Sequence, residues 1–325
     1  MNKKLIDNLK YLNNYLKKFS LLIALLFSLF FFSISSFSIE NKILFKLNNE
    51  IITSLDISNE IKYLKILNPK MEGLDQETSL KIAKKSIIRE KIKKIEIQRI
   101  NENSKVNDQY LNQLIRNIYM SIDLNSISEF SEFLLKNNLS LDYVKNKISI
   151  EALWNELIFY KFSSKVKIDK EKLNKIIVEN KNTSIKFFDL SEIVFNISDK
   201  KELDSKYNII KKDIENKGFS SAALIHSISE TANLGGELGL VSEKSINNLI
   251  KEKIILLNNG EITGPIIIPG GVLILKLNSV EEKKLQIDLE KELDRLINEE
   301  KNKQLNQLSI VYFNKVKKDI IINEL

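Results

Sequence analysis

The chain contains a single histidine, His226, and no cysteine. Protein zinc sites draw on Cys and His, and neither a CxxC nor an HExxH pattern can be written from this sequence, so no metal and no cofactor are expected. A Ser-His-Asp or Cys-His arrangement needs His226 as its base, yet the chain offers neither a GxSxG elbow nor a cysteine nucleophile. Common hydrolytic chemistry is therefore excluded. His226 falls in a helical segment ahead of a glycine turn and reads as a partly exposed helix histidine rather than a proton carrier. No nucleotide-binding motif occurs, so no nucleotide partner is expected. The aromatic residues Phe130, Phe133, Tyr143, Trp154, Phe159 and Tyr160 recur at helical spacing, which serves a bundle core and a client-binding surface alike.

Composition sets the frame for these residues. The chain has 325 residues, 43% hydrophobic, with nine Gly and three Pro, which excludes disordered and collagenous classes and leaves room for two domains. A formal net charge of +7 invites a nucleic-acid reading, but five of the 50 basic residues and only one of the 43 acidic ones lie in the first 38 positions. The remainder is nearly balanced, with Lys interleaved among Glu and Asp as on solvated helix faces, so no nucleic-acid partner is expected.

The first 38 residues have their own pattern. Lys3, Lys4, Lys10, Lys17 and Lys18 precede an apolar run from Leu21 to Phe32, LLIALLFSLFFF, shorter than the roughly 20 residues a bilayer core requires. Ser36 and Ser38 are spaced as at a signal-peptidase site. Residues 1–38 read as a secretory signal peptide cleaved before Ile39, with an uncleaved anchor as the alternative. Either way the body of the protein lies outside the cytoplasm, and contact with a membrane is only through the leader.

From Ile43 the pattern is a strand, ILFKL, a turn at Asn48 and Asn49, and a helix capped by Thr53 or Ser54 that stops at Asn68-Pro69. Further helices are expected from about Glu77 to Asn101, from about Asp108 to Met120, after the Ser126 to Glu129 capping box, and from about Ser140. After Asn182 the composition turns β-branched and aromatic. Strand, helix, helix, strand, helix, strand, strand follow in sequence, with the helical pattern returning from Val280 and a strand in VKKDIIINEL at the end. The fold class this predicts is α+β.

The segment from Gly235 to Leu277 carries the most specific pattern. It has a glycine-rich turn at Gly235, Gly236, Glu237, Leu238 and Gly239, then Gly260, Glu261, Ile262, Thr263 and Pro265, then Gly271 and Ile274 on a last strand. Those parts, in that spacing, resemble the parvulin (PpiC-type) family of peptidyl-prolyl isomerases. The run ILFKLNNEIITSLDISNEIKYL resembles the opening strand and helix of the SurA-like periplasmic chaperones. The resemblance implies a helical chaperone domain at 39–182, one inserted parvulin-like domain at 183–279, and a C-terminal helix and strand at 280–325 that pack back on the first domain. It implies a periplasmic protein that binds unfolded or extended polypeptides, outer-membrane proteins among them, without ATP. The module is expected to be an appendage with its own core, so that its removal leaves the frame folded.

The resemblance also implies a site. Turning a prolyl bond crosses a barrier of about 18–20 kcal/mol set by amide resonance, so a catalyst needs an apolar proline pocket and polar groups that favour the twisted amide. Active parvulins use two facing histidines and a nearby Cys or Asp. In this chain Glu192 falls on the first histidine position, Leu273 on the second, and Thr231, in a loop two residues short, on the Cys or Asp position. Ile246 and Ile250 fall on the family's Met and Phe pocket positions. The peptide-binding set is thus Ile246, Ile250, Leu273 and Trp154, with no catalytic residue assigned. Read without the resemblance, Glu192 is a solvated strand-end charge.

Overall fold

The computed structural model describes residues 41–179, 184–284 and 289–325; the leader lies outside the described residues. Strand β1 (Ile43–Leu47) turns at Asn48, φ 49°, into β2 (Glu50–Thr53). The sequence reading expected one strand here. It left Glu50 to Ile52, between the turn and the helix cap, without an element, but Ile51 and Ile52 alternate across the hairpin, with Ile52 fully buried. Thr53 then closes a capping box with Asp56 at the head of α1 (Ser54–Leu67), its backbone N–H donating to the Asp56 carboxylate at 2.8 Å. Helices α2 (Gln76–Ile100), α3 (Asp108–Ser121), α4 (Ile127–Lys136), α5 (Leu141–Phe162) and α6 (Lys170–Glu179) follow.

The module opens with β3 (Ser184–Phe195), continues through α7 (Leu203–Lys217) and α8 (Phe219–His226), a single turn at Glu230–Leu234 and β4 (Glu237–Ser242), and ends with α9 (Asn248–Ile254), β5 (Ile266–Ile268) and β6 (Gly271–Lys284). Its sheet is antiparallel in the order β4-β3-β6-β5. A helix was expected from Val280, yet β6 runs on to Lys284. The twelve residues of β3 pair along its whole length, from Phe195 opposite Val272 to Ser184 opposite Lys284, and that ladder overrides the helix-favouring EEKK composition. One face of the sheet carries Phe188, Leu190, Val194, Leu273, Leu275 and Leu277. The other carries Ile193, Phe195, Val272 and Ile274 against Ile210 and Phe219 of α7 and α8, as the period of two demands.

The chain returns through α10 (Leu289–Lys318) and β7 (Ile322–Glu324), which pairs antiparallel with β1. Tyr312, Phe313 and Val316 of α10 enter the core of the N-terminal helices. There Trp154 stacks on Tyr312, ring centroids 5.7 Å apart, and its Nε1 donates to Ser309 Oγ at 2.9 Å. The fold is α+β: a helical frame completed by the C-terminal helix and strand, with the four-stranded module inserted.

The frame also buries charge. Glu60, fully buried, accepts from Ser86, Tyr143 and Lys147, and Lys147 pairs in turn with Glu90. Three donors on one carboxylate are what make such burial tolerable. The module is not an appendage: Leu224 and Ile225 of α8 belong to the frame's core, and Ile310 of α10 belongs to the module's. Apolar residues at the ends of α8 and within α10 had no partner in their own segment, and each found it across the boundary.

Candidate functional site

Glu192 sits in β3 between Leu190 and Val194, and strand alternation turns it toward the same face as these two. Its backbone N–H donates to Gly236 O at 2.7 Å. Gly236 has φ 82°, and a Cβ there would lie 2.2 Å from Glu192 O, so only glycine lets the two chains approach this closely. The contact pins the loop from Ser227 to Gly236 against the strand.

Along that loop, hydroxyls alternate. Thr231 Oγ1 donates to Glu192 Oε1 at 2.9 Å; Thr231 and Ser229 hydroxyls lie 2.8 Å apart, Ser229 and Ser227 hydroxyls 2.9 Å apart. Ser227 Oγ finally accepts from Val194 N at 3.1 Å. Burial raises the pKa of Glu192 above the ordinary glutamate value, opposed by the hydroxyls of Thr231 and Ser229. Glu192 is therefore half-buried and hydrogen-bonded, not a solvated strand-end charge. The structure brings Glu192 and Thr231 together as the family positions imply. Sequence reasoning missed Ser227 and Ser229, although the S-x-S-x-T alternation before the glycine turn was there to be read.

The apolar wall is supplied by Ile246 and Ile250, both half-buried against Ile254 and Leu273. Asn247 caps α9 by accepting from Ile250 N at 2.9 Å, which fixes both isoleucines around the helix start. Two members of the expected peptide-binding set are buried in cores: Leu273 beneath the isoleucines and Trp154 in the helical frame. Leu273 pairs with Val194 and Ile266 and is only 6% exposed, and Trp154 is fully buried under Tyr312. Neither offers surface to a peptide. Helical spacing could not distinguish a core tryptophan from a contact one, and the ring packing of α10 decides it. His226 Nε2 lies 2.7 Å from Asp213 Oδ2 on α7; burial lowers its pKa, with Asp213 opposing. It is spent on that pair.

The centre is thus a carboxyl and three hydroxyls beside two isoleucines. Ser227 and Ser229 are buried and each hydroxyl is engaged by its neighbour, so the two isoleucines are what this groove offers an extended chain. It lacks the imidazole with which the parvulin positions would be filled.

Residues 188–279 match the family model of the rotamase PpiC-type PPIase domain. A chaperone SurA from Chromohalobacter salexigens is 22% identical over 182 residues, 54% of this chain and 42% of that protein. The chain thus matches less than half the length of this relative. Among solved structures, one of two SurA-like chaperones of Campylobacter jejuni covers 88% of this chain and 99% of its own at 18% identity and a TM-score of 0.34. The foldase PrsA from Streptococcus pneumoniae covers 85% of this chain and 92% of its own at 14% identity and a TM-score of 0.29.

Proposed function

We propose that this chain, a SurA-like protein with a PpiC-type rotamase domain, is an exported, ATP-independent chaperone for unfolded envelope polypeptides, outer-membrane proteins among them. In this reading residues 1–38 deliver it to the periplasm, residues 39–182 and 280–325 form the chaperone frame, and residues 183–279 form a parvulin-like module that holds extended segments. The module turns prolyl bonds feebly or not at all. The observation that carries this last point is the polar centre itself: Glu192, Thr231, Ser229 and Ser227 form one hydrogen-bonded chain. Those groups are already committed to one another, and Leu273, on the second histidine position, is core. Stabilising a twisted amide needs groups free to meet it in the transition state.

Clients would meet the isoleucine wall and the exposed apolar side chains around it, Leu249 at 71% and Leu256 at 79% exposure. A site that must also release its client is expected to bind at micromolar dissociation constants, about 8 kcal/mol. The alternative is an active isomerase, and the survival of a Glu192–Thr231 contact at two of the family's polar positions is what favours it. Two assays on the full chain separate the readings: isomerisation of a short prolyl peptide, and suppression of aggregation of an unfolded outer-membrane barrel. Protection without isomerisation is the expected result. A rate comparable with active parvulins, lost in Glu192→Ala, would establish the enzyme instead.

A further inference from the structure

The loop that bears the three hydroxyls has a second side. Helix α2 places Lys85, Arg89 and Lys93 at i, i+4 and i+8, one above another on a single face, and each reaches this loop. Lys85 Nζ donates to Ile225 O at 3.0 Å and Ser227 O at 2.6 Å. Arg89 Nη1 donates to Ser229 O at 2.8 Å. Lys93 Nζ meets Glu230 Oε2 at 2.7 Å, with Glu151 of α5 on its other side at 2.6 Å.

The match is one of periods. Ser227 and Ser229 have extended backbone, ψ 143° and 163°, so their carbonyls repeat every two residues, about 6.6 Å. Four residues of helix rise about 6 Å. Lys85 and Arg89 therefore fit the alternate carbonyls of Ser227 and Ser229, and Lys93 one step further takes the Glu230 carboxylate, while the alternate side chains Ser227, Ser229 and Thr231 lie on the Glu192 side. Ile225 O belongs to the last turn of α8, where carbonyls lack helical partners, and Lys85 satisfies it.

This arrangement is costly as mere packing. Three like charges spaced by four on one helix face repel, and Arg89 and Lys93 are 9% and 1% exposed. Burial, with Arg89, Lys317 and Lys81 nearby, pulls the Lys85 ammonium down to about 7. For Lys93, burial pulls the same way, but Glu151 and Glu230 hold it above the ordinary lysine value.

We propose that Lys85, Arg89 and Lys93 are positioning residues that hold the Ser227–Thr231 loop in register with Glu192, so that the state of the groove and the packing of the frame are coupled. The inference rests on reading the groove as the client-contacting centre. A reporter lies in the cluster. Trp154, the single tryptophan, lies with its ring 5.6 Å from Lys93 Nζ and donates to Ser309, which donates to Glu230. Being fully buried, it cannot touch a peptide in the groove.

The test uses the full chain as wild type, Arg89→Met and Arg89→Lys. The Glu192 carboxyl is titrated by carbon-13 NMR, its signal assigned by its loss in Glu192→Gln. Loosening the loop lets water reach the carboxyl, and burial outweighs the opposing hydroxyls there, so Arg89→Met is expected to lower the Glu192 midpoint toward the ordinary value, and Arg89→Lys to restore it. An unchanged midpoint in a folded Arg89→Met protein overturns the proposal and leaves Arg89 as simple support. If Arg89→Met does not fold, Lys85→Met, which frees Ser227 O, is read the same way. A second arm titrates the tryptophan-free peptide acetyl-Ala-Phe-Pro-Phe-amide. Where calorimetry shows binding, Trp154 emission is expected to shift in wild type and not in Arg89→Met; binding with no shift in wild type counts against coupling. Silent calorimetry sinks the groove as a client site, while the Glu192 midpoint still decides the positioning role.

Discussion

The partners of Glu192 are hydroxyls, and this sets how the groove responds to pH. Its folded-state pKa is raised by burial, so the stability it contributes is full below the unfolded value of about 4.3 and is lost as pH rises through the folded value. Glu192→Gln keeps a hydrogen-bonding amide and removes that loss. The variant is expected to melt roughly 2–4 °C above wild type at pH 7.5, with the gap closing near pH 4, as a calorimetric pH series will show. Lys85 acts in the opposite sense to an ordinary paired lysine. Its folded pKa of about 7 lies below the ordinary lysine value of 10.5, so between these the unfolded chain binds more protons, and this group adds stability as pH rises from 7 toward 10.5. Wild type should gain melting temperature over that window relative to Lys85→Met, and parallel curves would refute the assignment. At this scale Glu192 and Thr231 were legible only through the resemblance to the parvulin pattern, since the residues read alone left Glu192 a solvated strand-end charge. Trp154 was not legible, because 3.6-residue spacing places a ring on a face without saying what covers it. That required Tyr312 and Phe313, more than 150 positions away.

Elements in this chain are set by local signals at their ends and by ladders in their middles. A cap at Thr53 or Ser54 and the Asn68-Pro69 stop bound α1 from sequence, as Ser126 and Ser140 do for the starts of α4 and α5, and the structure selects Thr53, boxed with Asp56. The strand β2 was missed because EIIT, though β-branched, is only four residues between a turn and a helix cap, and the end of β6 because EEKK carries little strand propensity and is a strand only through β3 beside it. The close approach to β3 of the turn that leads into β4 depends on a single glycine, Gly236. In Gly236→Ala the new Cβ would collide with Glu192 O at 2.2 Å, and a residue with φ 82° would be strained besides. The variant is expected to lose on the order of 3 kcal/mol in urea unfolding. The opened turn should also admit water to the Glu192 carboxyl, visible as a fall in its midpoint, since burial outweighs the opposing hydroxyl of Thr231. Equal stability with an unmoved midpoint would mean that the turn can open without disturbing the centre.

The whole molecule behaves as a frame and module that share their packing. From sequence the module looked separable, since its strand and helix order is complete in itself. The structure ties it to the frame through Leu224 and Ile225 in the frame's core, Ile310 in the module's, and the cations of α2 on the loop. Consider a shortened chain in which residues 41–182 are joined by a flexible linker to residues 280–325. Lys85, Arg89 and Lys93 then face water, which solvates them, so the charges themselves impose little penalty. The loss is apolar: two side chains leave the core, each worth about 1.5–3 kcal/mol when fully buried. Against a total stability of about 5–15 kcal/mol, the shortened chain is expected to fold but to unfold at a clearly lower urea concentration. Trp154 emission should move to the red as water reaches Lys93 and Ser309. The chaperone frame tested this way is a weakened one, so protection of an unfolded barrel must be measured at a temperature where the shortened chain is shown to be folded. An unfolding midpoint and a Trp154 spectrum both equal to those of the full chain would show that the frame does not lean on the module, and the coupling drawn through α2 would lose its structural basis.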